Sequence, residues 1–257
     1  MEAHYQKMLK DTENRVLKAL QVQVMDKNNV RYGGFPDATG IIHAKIAIYK
    51  VAPMIACFCN PDSEYYRNEL VRDRIHLGLD YITSVQHDNG LFDYVTCNFN
   101  SAPDTAFCIK KFLPFYEFLR IKKEKNDIDP EEEKILTRVE GIVKKGCRGL
   151  LEGGFHTPNH RWAIASLLMK GSVLFEDEEM KKAAQAYLNE GIDCTEDGEF
   201  SEKSAGNYNR INNDAMIMLT EATGDAVYEE YALRNLTMML TYMEPDDSIF
   251  TANSTRF

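Results

Sequence analysis

The sequence predicts an all-α protein built from antiparallel helical hairpins. Three observations support this class. Apolar residues recur at helical spacing along most of the 257 residues, the connections between these segments are short, and no convincing alternating strand precedes residue 248. Short connections make consecutive helices antiparallel, so we expect a ring or stack of hairpins. Gly-Gly-Phe at 33–35 and 153–155, together with Asp-Gly and Asn-Gly turns, indicates a repeated hairpin without a strict period.

The apolar pattern predicts about nine helices, each bounded by turn or capping residues. The first carries Leu9 and Val16 among charged residues and stops before a Gly-Gly-Phe-Pro break. The second is more apolar and stops at Asn-Pro-Asp (60–62), and the amphipathic third closes with Asp-Asn-Gly (88–90). The remaining six follow the same logic of apolar spacing between loops. In chain order, the predicted helices are 3–24, 41–58, 62–86, 102–120, 130–150, 158–169, 177–191, 208–223 and 226–243.

Composition excludes several classes of protein. A hydrophobic content of 44% can build a core, and a charged content of 27%, scattered along the chain, argues against disorder. The net charge of −10 disfavours a nucleic-acid binder, although it permits a local basic pocket. No apolar run reaches the roughly 20 residues that span a bilayer. The six cysteines form no CxxC pair, which favours inert thiols in a reducing compartment.

The predicted helical domain covers residues 1–247. The end of the sequence, SIFTANSTRF (248–257), is strand-like, and we expect it to begin a β-rich domain of a longer chain. The start has no secretory segment, so the compartment stays open between the cytoplasm and export with a removed signal peptide. The sequence does not determine the oligomeric state.

Three loops end in well-marked helix starts. Ser101 and Asp104 have capping-box spacing, Thr157 is an N-cap before a proline, and Ser204 or Asn207 caps a third start. One helix lies between each pair of these starts, and every second helix of an antiparallel array starts on the same side. We therefore expect the three starts to open on one cleft, with their positive dipole ends forming a local anion site.

The second and third starts are rich in side chains that can do chemistry. In FHTPNHRWAI (155–164), Asn159 and His160 fall in the first turn of the predicted helix, beside His156, Arg161 and Trp162. A purely structural interpretation makes Asn159 a local cap, His160 a hydrogen-bonded histidine and Trp162 a core residue. At the third start, a single phenol is crowded by amide and guanidinium groups that packing alone does not explain: Tyr208 with Asn207, Asn209, Arg210, Asn212 and Asn213.

This constellation resembles the α/α-toroid polysaccharide lyases of the heparinase II/III-like and alginate-lyase-like group. The resemblance rests on the pair Asn159-His160, on Tyr208 some 48 residues later behind a Gly-Glu-Phe-x-Glu-x-Ser run (198–204), and on the polar loop 88–107 with Asn100. It covers roughly residues 30–250 by helical layout, but only these three loops match at the level of motifs. The chain is shorter than such enzymes, and the β-sandwich that follows their toroid is absent. The implied fold is an incomplete α/α toroid.

The resemblance implies β-elimination on a uronate-containing polysaccharide. Asn159 would hydrogen-bond the carboxylate as charge builds up on it, and Tyr208 and His160 would share the roles of acid and base, with the choice of base left open. The scheme requires no metal or cofactor, and the expected partner is an acidic polysaccharide rather than nucleic acid or a membrane. The candidate substrate-binding residues are Asn100, His156, Arg161, Trp162, Arg210 and Asn213.

Two other functions remain open. A glycoside hydrolase on the same helical ring would need two carboxylates across the sugar, and six are available in the same loops: Asp88, Asp93, Asp104, Asp197, Glu199 and Glu202. A non-catalytic carbohydrate-binding protein would use Trp162 and the tyrosines as stacking surfaces. The clustering of Asn, His, Tyr and Arg favours elimination over hydrolysis.

Overall fold

The computed structural model describes residues 2–255 and confirms the all-α class. Within these residues the chain forms nine helices and one antiparallel two-stranded sheet. In chain order the elements are α1 (Glu2–Val22), α2 (Ala44–Cys59), α3 (Glu69–Ser84), β1 (Phe92–Tyr94), β2 (Asn98–Ser101), α4 (Ala102–Glu124), α5 (Pro130–Gly149), α6 (Pro158–Phe175), α7 (Glu178–Leu188), α8 (Asn207–Thr223) and α9 (Val227–Leu240).

The nine helices match the nine predicted ones, and the two largest differences lie at the start of α3 and at the end of α6. Helix α3 begins at Glu69 rather than at residue 62, because turns fill residues 61–67 and the side chain of Asn68 caps the helix by accepting from the N–H of Val71. Helix α6 continues to Phe175 and stops at Glu176, which adopts a left-handed conformation with φ 53°.

The prediction that no strand precedes residue 248 is wrong. Strands β1 and β2 pair Phe92 with Ser101 and Tyr94 with Asn98. Strands of three and four residues are too short to show an alternating pattern, so periodicity missed them. At the other end of the chain, the described part of the strand-like segment, 248–255, holds one isolated bridge, from Ile249 to Met243. Residues 256 and 257 lie outside the described part, and the following β-rich domain stays a prediction.

The chain divides into two compact units, Met1–Gly146 and Cys147–Phe257, with the boundary inside α5. In the first unit, α2 forms the centre and packs against α1, α3 and α4. In the second unit, α6 packs against α7 and α8, and α8 packs against α9. Helix α6 is buried from Trp162 to Ser172, so it is the core helix of this unit. The toroidal arrangement of the hairpins stays a prediction.

Burial explains the chemistry of most cysteine thiols. Burial raises the pKa of Cys59, Cys108 and Cys147 to about 12, so these thiols stay protonated at neutral pH. All six cysteines are free, and Cys97 is the exposed one. Among the helices of residues 2–255, none is both long and apolar enough to cross a membrane.

One turn recurs four times in the described chain. In each copy the first residue donates its N–H to the carbonyl of the fifth, and the N–H of the fourth donates to the carbonyl of the first, at 2.8–3.1 Å. The fourth residue is left-handed each time: Gly40, Gly90, Gly198 and Asp247 have φ of 86°, 89°, 93° and 63°. The copies are 37–41, 87–91, 195–199 and 244–248.

Each copy of this turn follows an odd-numbered helix, and the first three copies lead into α2, α4 and α8. The connection from α5 to α6 lacks it. The repeated hairpin is therefore marked by the turn and not by both Gly-Gly-Phe sequences. Phe35 of the first Gly-Gly-Phe is fully buried, whereas Phe155 of the second is 39% exposed. Helices α2, α4 and α8 therefore start after a copy of this turn, and α6 does not.

We expect Gly198→Ala to destabilise the second unit far more than a control substitution at another left-handed glycine. A Cβ at Gly198 would lie 2.4 Å from the carbonyl oxygen of Arg234, a backbone atom of α9, whereas a Cβ at Gly224 (φ 73°) meets nothing within 4 Å. Gly224→Ala should cost about 1 kcal/mol from backbone strain alone, and Gly198→Ala about 3 kcal/mol or more. Urea unfolding followed by the fluorescence of Trp162, the single tryptophan, measures both. Equal losses would refute the close contact.

Candidate functional site

The start of α6 is built as the sequence predicts. Thr157 is the N-cap and Pro158 the first helical residue. The Thr157 side chain does not cap the backbone. Its hydroxyl donates to Oδ1 of Asn159 at 2.5 Å. Oδ1 of Asn159 is thus engaged within the helix start, and Asn159 itself is 1% exposed.

Glu202 joins this start to the loop that precedes α8. The backbone N–H of Asn159 donates to Oε2 of Glu202 at 2.9 Å, and the Glu202 residue is 6% exposed. This bond places the starts of α6 and α8 at the same end of the second unit. It also means that the positive end of α6 faces a carboxylate of the protein itself, so a bound anion would have to compete for it.

The start of α8 differs from the prediction in its cap. The N-cap residue is Gly206, neither Ser204 nor Asn207. Ser204 nevertheless caps the helix with its side chain, because its hydroxyl accepts from the N–H groups of Gly206 at 3.2 Å and of Tyr208 at 3.3 Å. Tyr208 lies half-buried in the first turn, and its backbone is held by the loop that carries Glu202.

The last described residues hold the same loop. Thr255 donates its N–H to the carbonyl of Lys203 at 2.9 Å and its hydroxyl to the carbonyl of Glu202 at 2.7 Å. The N–H of Ala205 donates to Ser254 Oγ at 3.1 Å. Lys203 is left-handed, with φ 45°. Contacts on both sides therefore fix a loop that turns sharply between the two helix starts.

Arg161 and Trp162 are held by contacts within the second unit. Trp162 is fully buried, and its indole N–H donates to Asp193 Oδ1. The guanidinium of Arg161 lies 4.4 Å from the Trp162 ring centroid, donates to the carbonyl of Tyr187 at 2.8 Å and pairs with Glu190 at 3.0 Å. A buried indole cannot stack on a sugar that arrives from solvent. In this arrangement both side chains pack within the α6–α7 hairpin. This agrees with the interpretation of Trp162 as a core residue.

The polar side chains near Tyr208 in sequence point to different sides of α8. Asn213 is buried and donates to Asn235 of α9 at 2.9 Å. Arg210 is exposed and donates to Asn207 at 3.1 Å. His156 is exposed directly before the start of α6. The crowding seen in the sequence is thus spread around a helix rather than gathered around one phenol.

Asn100 belongs to the first unit, at the end of the β1–β2 hairpin. It is left-handed, with φ 48°, and its N–H donates to Asp93 Oδ1 at 2.8 Å. The same carboxylate lies 2.8 Å from Nε2 of His87, and the amide of Asn89 donates to Asn100 Oδ1 at 3.1 Å. The convergence of Asn100 with Asn159 and Tyr208 stays a prediction.

The starts of α2 and α4 form a polar cluster that the sequence analysis missed. The predicted capping box is confirmed, because Ser101 Oγ accepts from the N–H of Asp104 at 3.3 Å and donates to its carboxylate at 2.8 Å. Asp104 also pairs with Lys45 at 3.1 Å, and His43 is the N-cap of α2. The overlooked signal was a His-x-Lys run (43–45) that directly follows a turn and opens a helix.

Two further findings bear on the kind of site. Among residues 2–255, no group of three His, Cys, Asp or Glu side chains is arranged to hold a metal ion. Comparison with protein-family models and with curated proteins finds no match to the chain in either set. The function is therefore argued from the geometry of the helix starts.

Substitution by leucine should change the stability of the second unit in opposite ways at two buried asparagines. Asn235 is fully buried, donates to the carbonyl of Gly198 at 2.8 Å and accepts from Asn213. Asn212 is equally buried, but neither atom of its amide has a hydrogen-bond partner among the described residues. Asn235→Leu leaves two buried groups unpaired and should cost about 2–4 kcal/mol. Asn212→Leu removes two unpaired groups and should leave stability unchanged or raise it.

Urea unfolding of the two leucine variants, followed by Trp162 fluorescence, is the measurement. The position eight residues after Ser204 is Asn212, and the position eight residues after Ser101 is the fully buried Ile109 of α4, so an apolar side chain suits this place in the repeat. A loss at Asn212→Leu as large as that at Asn235→Leu would show that the Asn212 amide is satisfied in solution.

Proposed function

We propose that the protein is a polysaccharide lyase that cleaves a uronate-containing polysaccharide by β-elimination. The observation that carries the proposal is the Glu202–Asn159 hydrogen bond, since it ties the start of α6 to the loop that opens α8. Asn159, His160 and Tyr208 thereby belong to one end of the second unit. An amide donor, an imidazole and a phenol on neighbouring helix starts are the groups that elimination beside a carboxylate needs.

In this reaction a base removes the proton on C5 of the uronate, next to the carboxylate. The electron pair of the C5–H bond forms the C4–C5 double bond, and the C4–O bond to the neighbouring sugar breaks. An acid protonates the leaving oxygen. His160 and Tyr208 supply the base and the acid, and which of them is the base stays open. Charge moves onto the carboxylate in the transition state, so a hydrogen-bond donor aimed at it lowers the barrier.

Asn159 is the donor in this scheme, and its side chain rather than the helix end supplies the hydrogen bonds. The Thr157 hydroxyl holds Oδ1. Because Asn159 is 1% exposed, the scheme requires its amide N–H groups to become accessible to the substrate carboxylate on binding. The backbone N–H of Asn159 is used by Glu202. A preorganised donor of this kind contributes about 3–4 kcal/mol to transition-state stabilisation in other enzymes.

The environment of the nearby carboxylates favours elimination over hydrolysis. Asp193 accepts from the Trp162 indole and from the Ser201 hydroxyl, and Glu202 accepts from the backbone at the start of α6. A hydrolase needs two carboxylates that act on the sugar, and Glu202, one of the six candidates, is instead used by the backbone of the protein. The buried position of Trp162 likewise weakens the alternative of a non-catalytic protein that stacks sugars on this ring.

A panel of acidic polysaccharides tests the proposal. Pectate, alginate, hyaluronan, chondroitin and heparan chains are incubated with the protein, and two signals are followed: the ultraviolet absorbance of unsaturated products and the release of reducing ends. Elimination gives both signals together. Reducing ends without absorbance would support the hydrolase, and neither signal on any polymer would refute catalysis on this class of substrate.

Tyr208→Phe removes one oxygen and keeps the ring, so the fold should survive. If Tyr208 moves a proton, elimination should fall by about two to four orders of magnitude, with little change in substrate binding or in melting temperature. Tyr231→Phe is the matched control, because Tyr231 lies on α9 with Arg234 4.5 Å above its ring, away from the helix starts. Near wild-type turnover in Tyr208→Phe would remove the phenol from the mechanism. His160→Ala should reduce turnover comparably if the imidazole is the base, and less if it orients the substrate.

A further inference from the structure

The first unit carries a second polar cluster, at the starts of α2 and α4. Its members are Lys45 and His43 from α2, Asp104 and Phe107 from the first turns of α4, and Tyr94 from β1. None of them belongs to the lyase site proposed for the second unit. The starts of α2 and α4 each follow a copy of the repeated turn, as the start of α8 does in the second unit.

Three contacts hold the ammonium group of Lys45 in place. Its ammonium lies 3.1 Å from Asp104 Oδ1, 5.0 Å from the ring centroid of Tyr94 and 5.6 Å from that of Phe107. Burial acts to lower the pKa of Lys45, but the charge of Asp104 and the hydrogen bond to it outweigh burial, and the pKa rises. The ammonium therefore stays charged. It has three N–H donors, of which the ion pair with Asp104 uses one.

The N-terminal turn of α2 lacks the protection that the other starts have. His43 makes no capping hydrogen bond with its side chain, and the first turn has no acidic residue. By contrast, α4 is capped by Ser101 and carries Asp104 in its first turn, and α6 has Glu202 on a first-turn N–H. The positive end of the α2 dipole is thus less occupied by the protein's own groups than those of α4 and α6.

His43 supplies the second, independent sign of a ligand. The ring is 6% exposed, and its Nδ1 atom is buried with no hydrogen-bond partner among the described residues. Burial lowers the pKa of His43, and the charges of Asp37, Lys45 and Asp104 act on the ring, so it is a neutral imidazole among these groups. Asp37 lies 3.6 Å from Nε2 but is engaged in its own turn by Thr39 and Ile41. A buried polar atom without a partner is costly unless a ligand satisfies it.

We propose that this cluster is a binding subsite for the carboxylate-bearing ring of an acidic oligosaccharide. Lys45 and the first-turn N–H groups of α2 pair with the carboxylate. Nδ1 of His43 is buried, so in this proposal the ring turns toward the ligand on binding and Nδ1 exchanges a hydrogen bond with a sugar hydroxyl. Tyr94 and Phe107 provide apolar surface beside the ring. The choice of a sugar acid rests on the proposed function, whereas the anion itself rests on Lys45 and α2.

Binding measurements on the full chain test the subsite without requiring turnover. Isothermal titration with tetrasaccharides of galacturonate, of mannuronate and guluronate, and of glucuronate with N-acetylglucosamine is compared with uncharged cellotetraose. Wild type should bind at least one acidic probe and not cellotetraose. Lys45→Met should weaken that binding about tenfold, as expected for one charge-assisted hydrogen bond. His43→Phe, which keeps the ring shape, should also weaken it, and Lys45→Arg should retain most of it.

Lys111→Met is the matched control, because Lys111 also lies over a tyrosine ring, 5.2 Å from that of Tyr49, but in the middle of α4. It should bind like wild type. Unchanged binding in Lys45→Met, an equal loss in Lys111→Met, or no binding of any acidic probe would overturn the subsite.

A measurement on the wild-type chain covers the case in which Lys45→Met does not fold. In protein labelled with carbon-13 in its lysines, the Lys45 side-chain signal should shift on titration with the acidic probe while that of Lys111 stays in place. A Lys45 signal that does not move would overturn the subsite. Loss of binding in Lys45→Met together with no unsaturated product on any polymer would keep the subsite and refute the lyase. Unsaturated product together with unaltered binding of the acidic probe in Lys45→Met would keep the lyase and refute the subsite.

Discussion

The second unit depends on one buried carboxylate. Glu202 is 6% exposed, and removing a charge from water is costly unless donors replace the lost hydration. The backbone N–H of Asn159 is one such donor, and Thr255 fixes the carbonyl of Glu202 on the other side. The carboxylate of Glu202 bonds the α6 start, and its backbone carbonyl bonds Thr255. This one residue therefore relates the positions of the α6 start, the loop 202–205 and the end of the described chain.

This arrangement decides how each unit can recognise an anion. At α6 the carboxylate of Glu202 already occupies the positive end of the helix dipole. An acidic ligand there must therefore bind to side chains such as the Asn159 amide. At α2 the first turn holds neither a capping side chain nor an acid, and Lys45 adds a fixed positive charge. The side chain placed at the helix start is therefore a carboxylate at α6 (Glu202) and an ammonium at α2 (Lys45). Both starts lie in a chain with a net charge of −10.

Local features of the fold were predictable from sequence, and features set by distant partners were not. Helical spacing located all nine helices of the described chain, and the Ser101–Asp104 capping box and the Thr157 N-cap were identified correctly because they involve residues three apart or fewer. The packing of Trp162 and Arg161 was not predicted, because it depends on Asp193 and Glu190, which lie about thirty residues further along the chain. Of the candidate site, the helix starts were visible in the sequence, but the Glu202 bond that joins them was not.

The repeat separates structural from chemical roles better than local crowding does. Four residues after the capping serine, α4 has Thr105 and α8 has Tyr208. Thr105 is fully buried, donates its hydroxyl to the carbonyl of Ser101 and accepts from the N–H of Phe92. That side chain ties two backbone segments together and is closed off from solvent. Tyr208 brings a larger, ionisable group to the same place and leaves it half-buried. A scaffold that needs only a hydroxyl at this position does not need a phenol, so the difference between the two copies supports the proposed role of Tyr208 in proton transfer.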